Sequence, residues 1–128
     1  MKKFLAAAIV LALATPAGAT EWITCSAEGD AASANILVGM VDVLSIAQAN
    51  VEAGGKKWTT DATGDGALRI GQAFENAEMI VVDFTDEGVS SIVASLRLFK
   101  ATEGDNDATG GTLRIPGVGA WVVACTGP

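Results

Sequence analysis

The residues with the clearest capacity for chemistry occur twice. "DATGDGALRI" at 61–70 returns as "DATGGTLRI" at 107–115 once a single residue is skipped. As a cation loop, the first copy offers Asp61, Thr63 and Asp65 at alternate positions, followed by Gly66. Calcium and other hard cations need several anionic oxygens. This loop has two carboxylates, with Arg69 in the ninth position and Gln72 in the twelfth, where a bidentate glutamate would serve. The second copy carries Gly111 where Asp65 stands in the first. Asp61 and Asp65 are therefore weak metal candidates, and no metal or other cofactor is expected. What the copies share is turn chemistry, because Asp and Thr bond nearby backbone and Gly supplies positive φ. The reading is one turn-and-strand element used twice.

A second chemistry lies in the arginines. Arg69 and Arg114 sit inside Leu-Arg-Ile and Arg97 inside Leu-Arg-Leu. A strand period of two puts the apolar pair on one face and the arginine on the other. Should the three strands be neighbours, Arg69, Arg97 and Arg114 form a cationic stripe able to hold a carboxylate, a phosphate or an acidic glycan. Three exposed arginines paired with nearby carboxylates are the plainer outcome.

Other chemistries are excluded by composition. The chain has no histidine and no tyrosine, which removes Ser-His-Asp and Cys-His arrangements and histidine-based metal sites. Neither a phosphate-cradling glycine loop nor a Gly-x-Ser-x-Gly elbow occurs. A hydrolase built on paired carboxylates would need two of them facing a groove, and the acids here are spread over loops and turns. The chain is read as a non-catalytic binding module, with a structural envelope protein as the alternative and the hydrolase a distant third.

The chain opens "MKKFLAAAIVLALATPAGA": a basic pair, an apolar run and a small-x-small end. This is the pattern of a bacterial Sec-type signal over 1–19, and its apolar run is short for a bilayer span. The mature part is then one β-rich domain over 20–128, periplasmic or secreted, with no stable membrane anchor. Removing Lys2 and Lys3 from the 8 basic residues leaves 6 against 15 acidic ones, a net charge of −9. Such a surface repels nucleic acid and steers toward a cationic protein. A small anionic ligand at the arginines is the other partner expected.

The elements that must position these residues are mostly strands. "EWITC" (21–25) and "AWVVAC" (120–125) each hold one of the two cysteines. Export makes a Cys25–Cys125 disulfide the expected state, which requires the first and last strands to lie side by side or face to face. Residues 34–53 are too long for one strand and should break at Gly39 or near Asp42. Further strands are expected at 56–60, 67–74 and 77–84, the last central because it is apolar on both faces. Residues 85–104 carry both periodicities. Val89, Ile92, Val93, Leu96 and Phe99 mark a helical face, whereas "SLRLFKA" alternates. A short helix or helical turn near 86–93 followed by a strand from about 94 to 101 reconciles them. The expected fold is a small antiparallel β-barrel or sandwich closed by the disulfide.

Overall fold

The computed structural model describes residues 20–39 and 43–127. The expected leader over 1–19 and the Asp42 alternative for the strand break lie outside them. Nine strands follow one another: β1 (Thr20–Ala27), β2 (Ala32–Gly39), β3 (Ser45–Ala53), β4 (Lys56–Thr59), β5 (Arg69–Glu75), β6 (Met79–Thr85), β7 (Ile92–Glu103), β8 (Asn106–Ile115) and β9 (Gly119–Thr126). They make a single sheet in the order β4-β3-β2-β1-β9-β8-β7-β6-β5. The fold is mainly β, as the alternating patterns require, and the sheet coils into a half-barrel.

The order describes two meanders joined back to back. β1 to β4 is one, β5 to β9 the other, and each pairs only with its neighbours in sequence except where β1 meets β9. That junction is antiparallel and places Cys25 directly opposite Cys125, where the disulfide forms. Every hydrogen-bonded neighbour in the sheet is antiparallel, so an odd count of nine leaves the two edge strands running in the same direction. The contact between them has to be parallel, and it is: a single bridge joins Thr59 to Ala67. Thr59 N–H donates to Gly66 O at 2.8 Å and Leu68 N–H to Thr59 O at 3.0 Å, pinching the half-barrel at one point.

The core lies inside the curl and follows the period of two. β2 alternates buried and half-buried along its length, with Ala32, Ala34, Ile36 and Val38 inward. β7 turns Ala94, Leu96 and Leu98 inward, and β8 turns Leu113 and Ile115. Phe84, Leu68 and Leu96 are fully buried, each stabilising the fold by roughly 1.5–3 kcal/mol relative to exposure. Three bulges adjust the facing. Ala47 is skipped opposite the Leu37/Val38 step, Gly71 opposite the Phe84/Asp83 step and Val93 opposite the Phe84/Thr85 step. A bulge places one extra residue on its strand and bends it, so Ile46 and Ala49 both reach the core although three positions apart.

Two expectations are corrected. The strand at 77–84 is β6, next to the edge and not central. Its outward Val81 is half-buried because Phe74 of β5 and Arg97 of β7 stand opposite it on either side. The stretch at 86–91 is a tight turn, not a helix. Val89 N–H donates to Asp86 O at 3.1 Å, Val89 takes φ 54°, and β7 starts at Ile92. Alternation prevails because inward Leu96 and Leu98 fill the core, while Val89, Ile92 and Phe99 of the supposed helical face stay exposed.

Asp86 holds that turn. Its carboxylate accepts from Ser90 Oγ at 2.7 Å, Ser90 N–H at 2.8 Å and Ser91 Oγ at 3.0 Å. These bonds, that from the Ser90 hydroxyl foremost, favour the charged form and hold the carboxyl at about 2 against an ordinary 3.8. A depressed carboxyl supports the turn fully above its ordinary value and ceases to as pH falls through about 2. A carbon-detected NMR titration is therefore expected to find Asp86 charged at pH 3 (about one unit above its midpoint), with the Ser90 amide moving only in stronger acid. Titration of Asp86 at its ordinary value would contradict this.

Candidate functional site

The first copy of the repeat is a loop between β4 and β5, with Gly64 and Gly66 at φ 67° and 82°. Its arginine occupies it. Arg69 Nη1 donates to Thr60 O and Ala62 O at 3.3 Å each and to Leu68 O at 2.7 Å. Those carbonyls are the oxygens a bound cation would use, and the guanidinium stands in that place. Glu87 completes the clasp: its carboxylate accepts from Gly64 N–H at 2.6 Å and lies 3.6 Å from Arg69 Nη2. Asp61 accepts instead from Gln48 Nε2 at 2.8 Å, and Asp65 lies by Lys57 and Trp58 on the loop's flank. Among the described residues no cluster of three acids or cysteines could hold a metal.

The second copy is no turn at all. Asp107 to Ile115 lie within β8, so the idea of one turn-and-strand element used twice fails for the "DATG" part. The Leu-Arg-Ile part repeats in part: Leu68, Leu113 and Ile115 are buried and each arginine is outward, but Ile70 on edge strand β5 is exposed. The glycines of the second copy serve close approach. A Cβ at Gly110 would lie 3.0 Å from Val123 O, and one at Gly111 would run into the Arg97 carbonyl oxygen.

All three arginines are on the outer face, and two are neighbours. Arg114 pairs in register with Ser95, and Arg97 with Thr112, so they are diagonal across β7 and β8. Arg69 is two strands from Arg97, bound into its loop. Arg97 Nη2 lies 2.9 Å from Asp83 Oδ1, an ion pair without hydrogen-bond alignment, and Arg97 Nη1 donates to Val82 O at 3.2 Å. Arg114 belongs to none of the four ion pairs among the described residues. The stripe therefore has one uncommitted charge.

A recess among the described residues lies elsewhere, on the outer face of β1 to β4. Two rows cross these strands in register: Thr24, Asn35, Asn50 and Thr59, then Ser26, Ser33, Glu52 and Lys57. Most of these outward side chains are short, while Val51 and Trp58 join Cys25 and the alanines on the inward face. Raised around the two rows stand the 3-10 turn Glu28–Asp30 and the Gly54–Gly55 hairpin tip. The result is a groove of about 600 Å³. It shares Thr24 and Asn35 with a second depression of about 270 Å³, bounded by Trp22 and Asn50. The first volume falls within the range of small-molecule clefts, about 300–1,000 Å³, and the second just below it.

The groove lining is balanced in charge, with Asp30 and Glu52 against Lys56 and Lys57. Glu52 is met by Lys57 Nζ at 3.5 Å. Asn35 Oδ1 is buried and accepts no hydrogen bond, although buried acceptors are nearly always paired. Trp22 is 42% exposed at the groove's end. Sequence reasoning missed this site. The available signal was the alternation of alanine with Ser, Asn and Gln in "ASAN" (32–35) and "AQAN" (47–50), which leaves the outer face of the strands shallow.

No protein-family model, curated protein or solved structure matches this chain. The site must speak through its own chemistry. The disulfide fits an oxidising compartment, and no helix among the described residues is long and apolar enough to cross a membrane.

Proposed function

We propose that the protein is an exported, non-catalytic binding module whose ligand lies in the outer groove over β1 to β4. The observation that carries this reading is Asn35, whose buried Oδ1 lacks a partner at the point where the two depressions join. An unpaired buried acceptor costs about 1–3 kcal/mol, and rotation of the half-buried Asn35 amide toward the groove would let a bound donor remove that cost. Periplasmic or secreted location follows from the leader pattern together with the disulfide. An anionic ligand at the arginines has less support, because Arg69 and Arg97 are already neutralised by Glu87 and Asp83. A cationic protein is the second reading, favoured by acidic tips such as Glu28, Asp30, Glu103 and Asp105.

The test is an NMR titration of isotope-labelled protein with two ligand pools, a digest of envelope polysaccharide and a digest of basic protein. The groove reading expects amide shifts centred on Thr24, Ser33, Asn35 and Asn50 with at least one pool. Shifts confined to the hairpin tips and erased by salt would instead support a charge-steered partner. Unmoved spectra with both pools would remove the binding-module reading.

A further inference from the structure

We infer that the groove takes a neutral, unbranched oligosaccharide, with one sugar ring against Trp22 and hydroxyls on Asn35 and Asn50. This rests on the binding-module reading and names its ligand class. Four features of the groove converge on it.

The first is charge. The lining carries two acids and two lysines, Glu52 with Lys57 at 3.5 Å and Asp30 and Lys56 toward the rim, and the rest of its polar surface is hydroxyl and amide. Its formal charges balance, so a ligand with a strong charge of either sign meets repulsion as well as attraction there, and burying a poorly paired charge is expensive. Phosphate-bearing chains are further disfavoured by the net charge of −7 over the whole sequence.

The second is hydrogen-bond type. An amide side chain presents donors and an acceptor together, as does a sugar hydroxyl. Asn35 and Asn50 are register partners on β2 and β3, with Thr24 beside Asn35 on β1. Successive hydroxyls along one edge of a pyranose ring can meet such a row, each giving one proton and taking another. Asn35 Oδ1 needs a donor and has none.

The third is the aromatic. Trp22 is outward on β1, two residues from Thr24, and 42% exposed. A pyranose ring has an apolar C–H face and polar edges. An indole accepts that face while leaving the edge hydroxyls free, in keeping with the amphipathic use of Trp at interfaces. The fourth is shape. The two depressions are continuous through Thr24 and Asn35, so the recess runs from Trp22 to Lys57. A chain of rings fits that run better than one ring.

Calorimetric titration of the disulfide-intact protein tests this with three probes: hexasaccharides of β-1,4-glucose, α-1,4-glucose and β-1,4-N-acetylglucosamine. At least one is expected to bind, with an affinity little changed by salt. Trp22→Ala is expected to weaken binding tenfold or more and Asn50→Ala by a similar factor, while Phe99→Ala, exposed on β7 three strands from β1, leaves it intact. Asn50 is half-buried on the outer face, so it provides a second readout if Trp22→Ala perturbs β1. Failure of all three saccharides would overturn the inference, as would binding that survives both groove substitutions. If groove amides move with basic peptides and not with saccharides, the ligand class is wrong and the binding-module reading stands. If neither moves them, both fall.

Discussion

Gly111→Ala is expected to be among the most damaging single substitutions in this protein, lowering stability by about 3 kcal/mol or more. Gly111 faces inward on β8, in register between Leu98 and Val123. A Cβ built there meets Arg97 O and comes within 3.0 Å of Leu98 Cα. These are backbone atoms of β7, so no rotamer change relieves the collision, and the two strands must part. The interface they share runs unbroken over nine register pairs from Ser95–Arg114 to Glu103–Asn106. A domain of this size commonly has only about 5–15 kcal/mol in total. Gly104→Ala is the control. Its φ is 59° with nothing within 4 Å of the added carbon, so it loses only about 1–2 kcal/mol through left-handed strain. Urea unfolding of both variants measures the difference. Equal midpoints would show that β7 and β8 can separate at little cost.

Loss of the disulfide should be as severe. Cys25 and Cys125 close a loop with a sequence separation of 100, for which the chain-entropy model gives about 4–5 kcal/mol. The local structure says why this chain needs it. β1 and β9 pair over four residues only, Thr24–Ala27 with Val123–Thr126, yet that short ladder joins the two meanders. The other join is the single bridge at Thr59–Ala67. The double variant Cys25→Ala/Cys125→Ala is expected to unfold at a much lower urea concentration, and the native protein in strong reductant should converge on the same curve. A midpoint within about 1 kcal/mol of the native one would mean that the β1–β9 ladder holds without its staple.

Much of the fold was legible because alternation survives in the chain. The strands at 67–74, 77–84 and 120–125, the outward arginines and the cysteine pairing all follow from a period of two and the geometry of a disulfide. The turn at 86–91 was misread because Val89, Ile92 and Leu96 also satisfy a helical period, and only tertiary burial of Leu96 decides between them. The repeat misled for a different reason. "DATG" makes a loop where Gly64 takes positive φ, and lies flat in β8 where Gly110 and Gly111 admit neighbouring strands. Glycine permits both, so the letters alone do not choose. The groove was hidden because it is defined by what its side chains lack in size. Its rows come from four strands, and only their register brings Thr24, Asn35 and Asn50 together.

The back-to-back arrangement of the meanders has a consequence for how the chain folds. Eight of the sheet's neighbour relations exist, and seven arise from hairpins between consecutive strands, which close quickly because little chain must be ordered. The remaining one, between β1 and β9, spans nearly the whole domain and so has by far the longest sequence separation. The native chain is in effect a circular permutant of a serial nine-strand meander, opened at its middle and cut within the 60–68 loop if restored. Its slow event is the meeting of two preformed ribbons, and the cysteines stand at that meeting point. Oxidation there converts a late, distant encounter into a permanent neighbour relation.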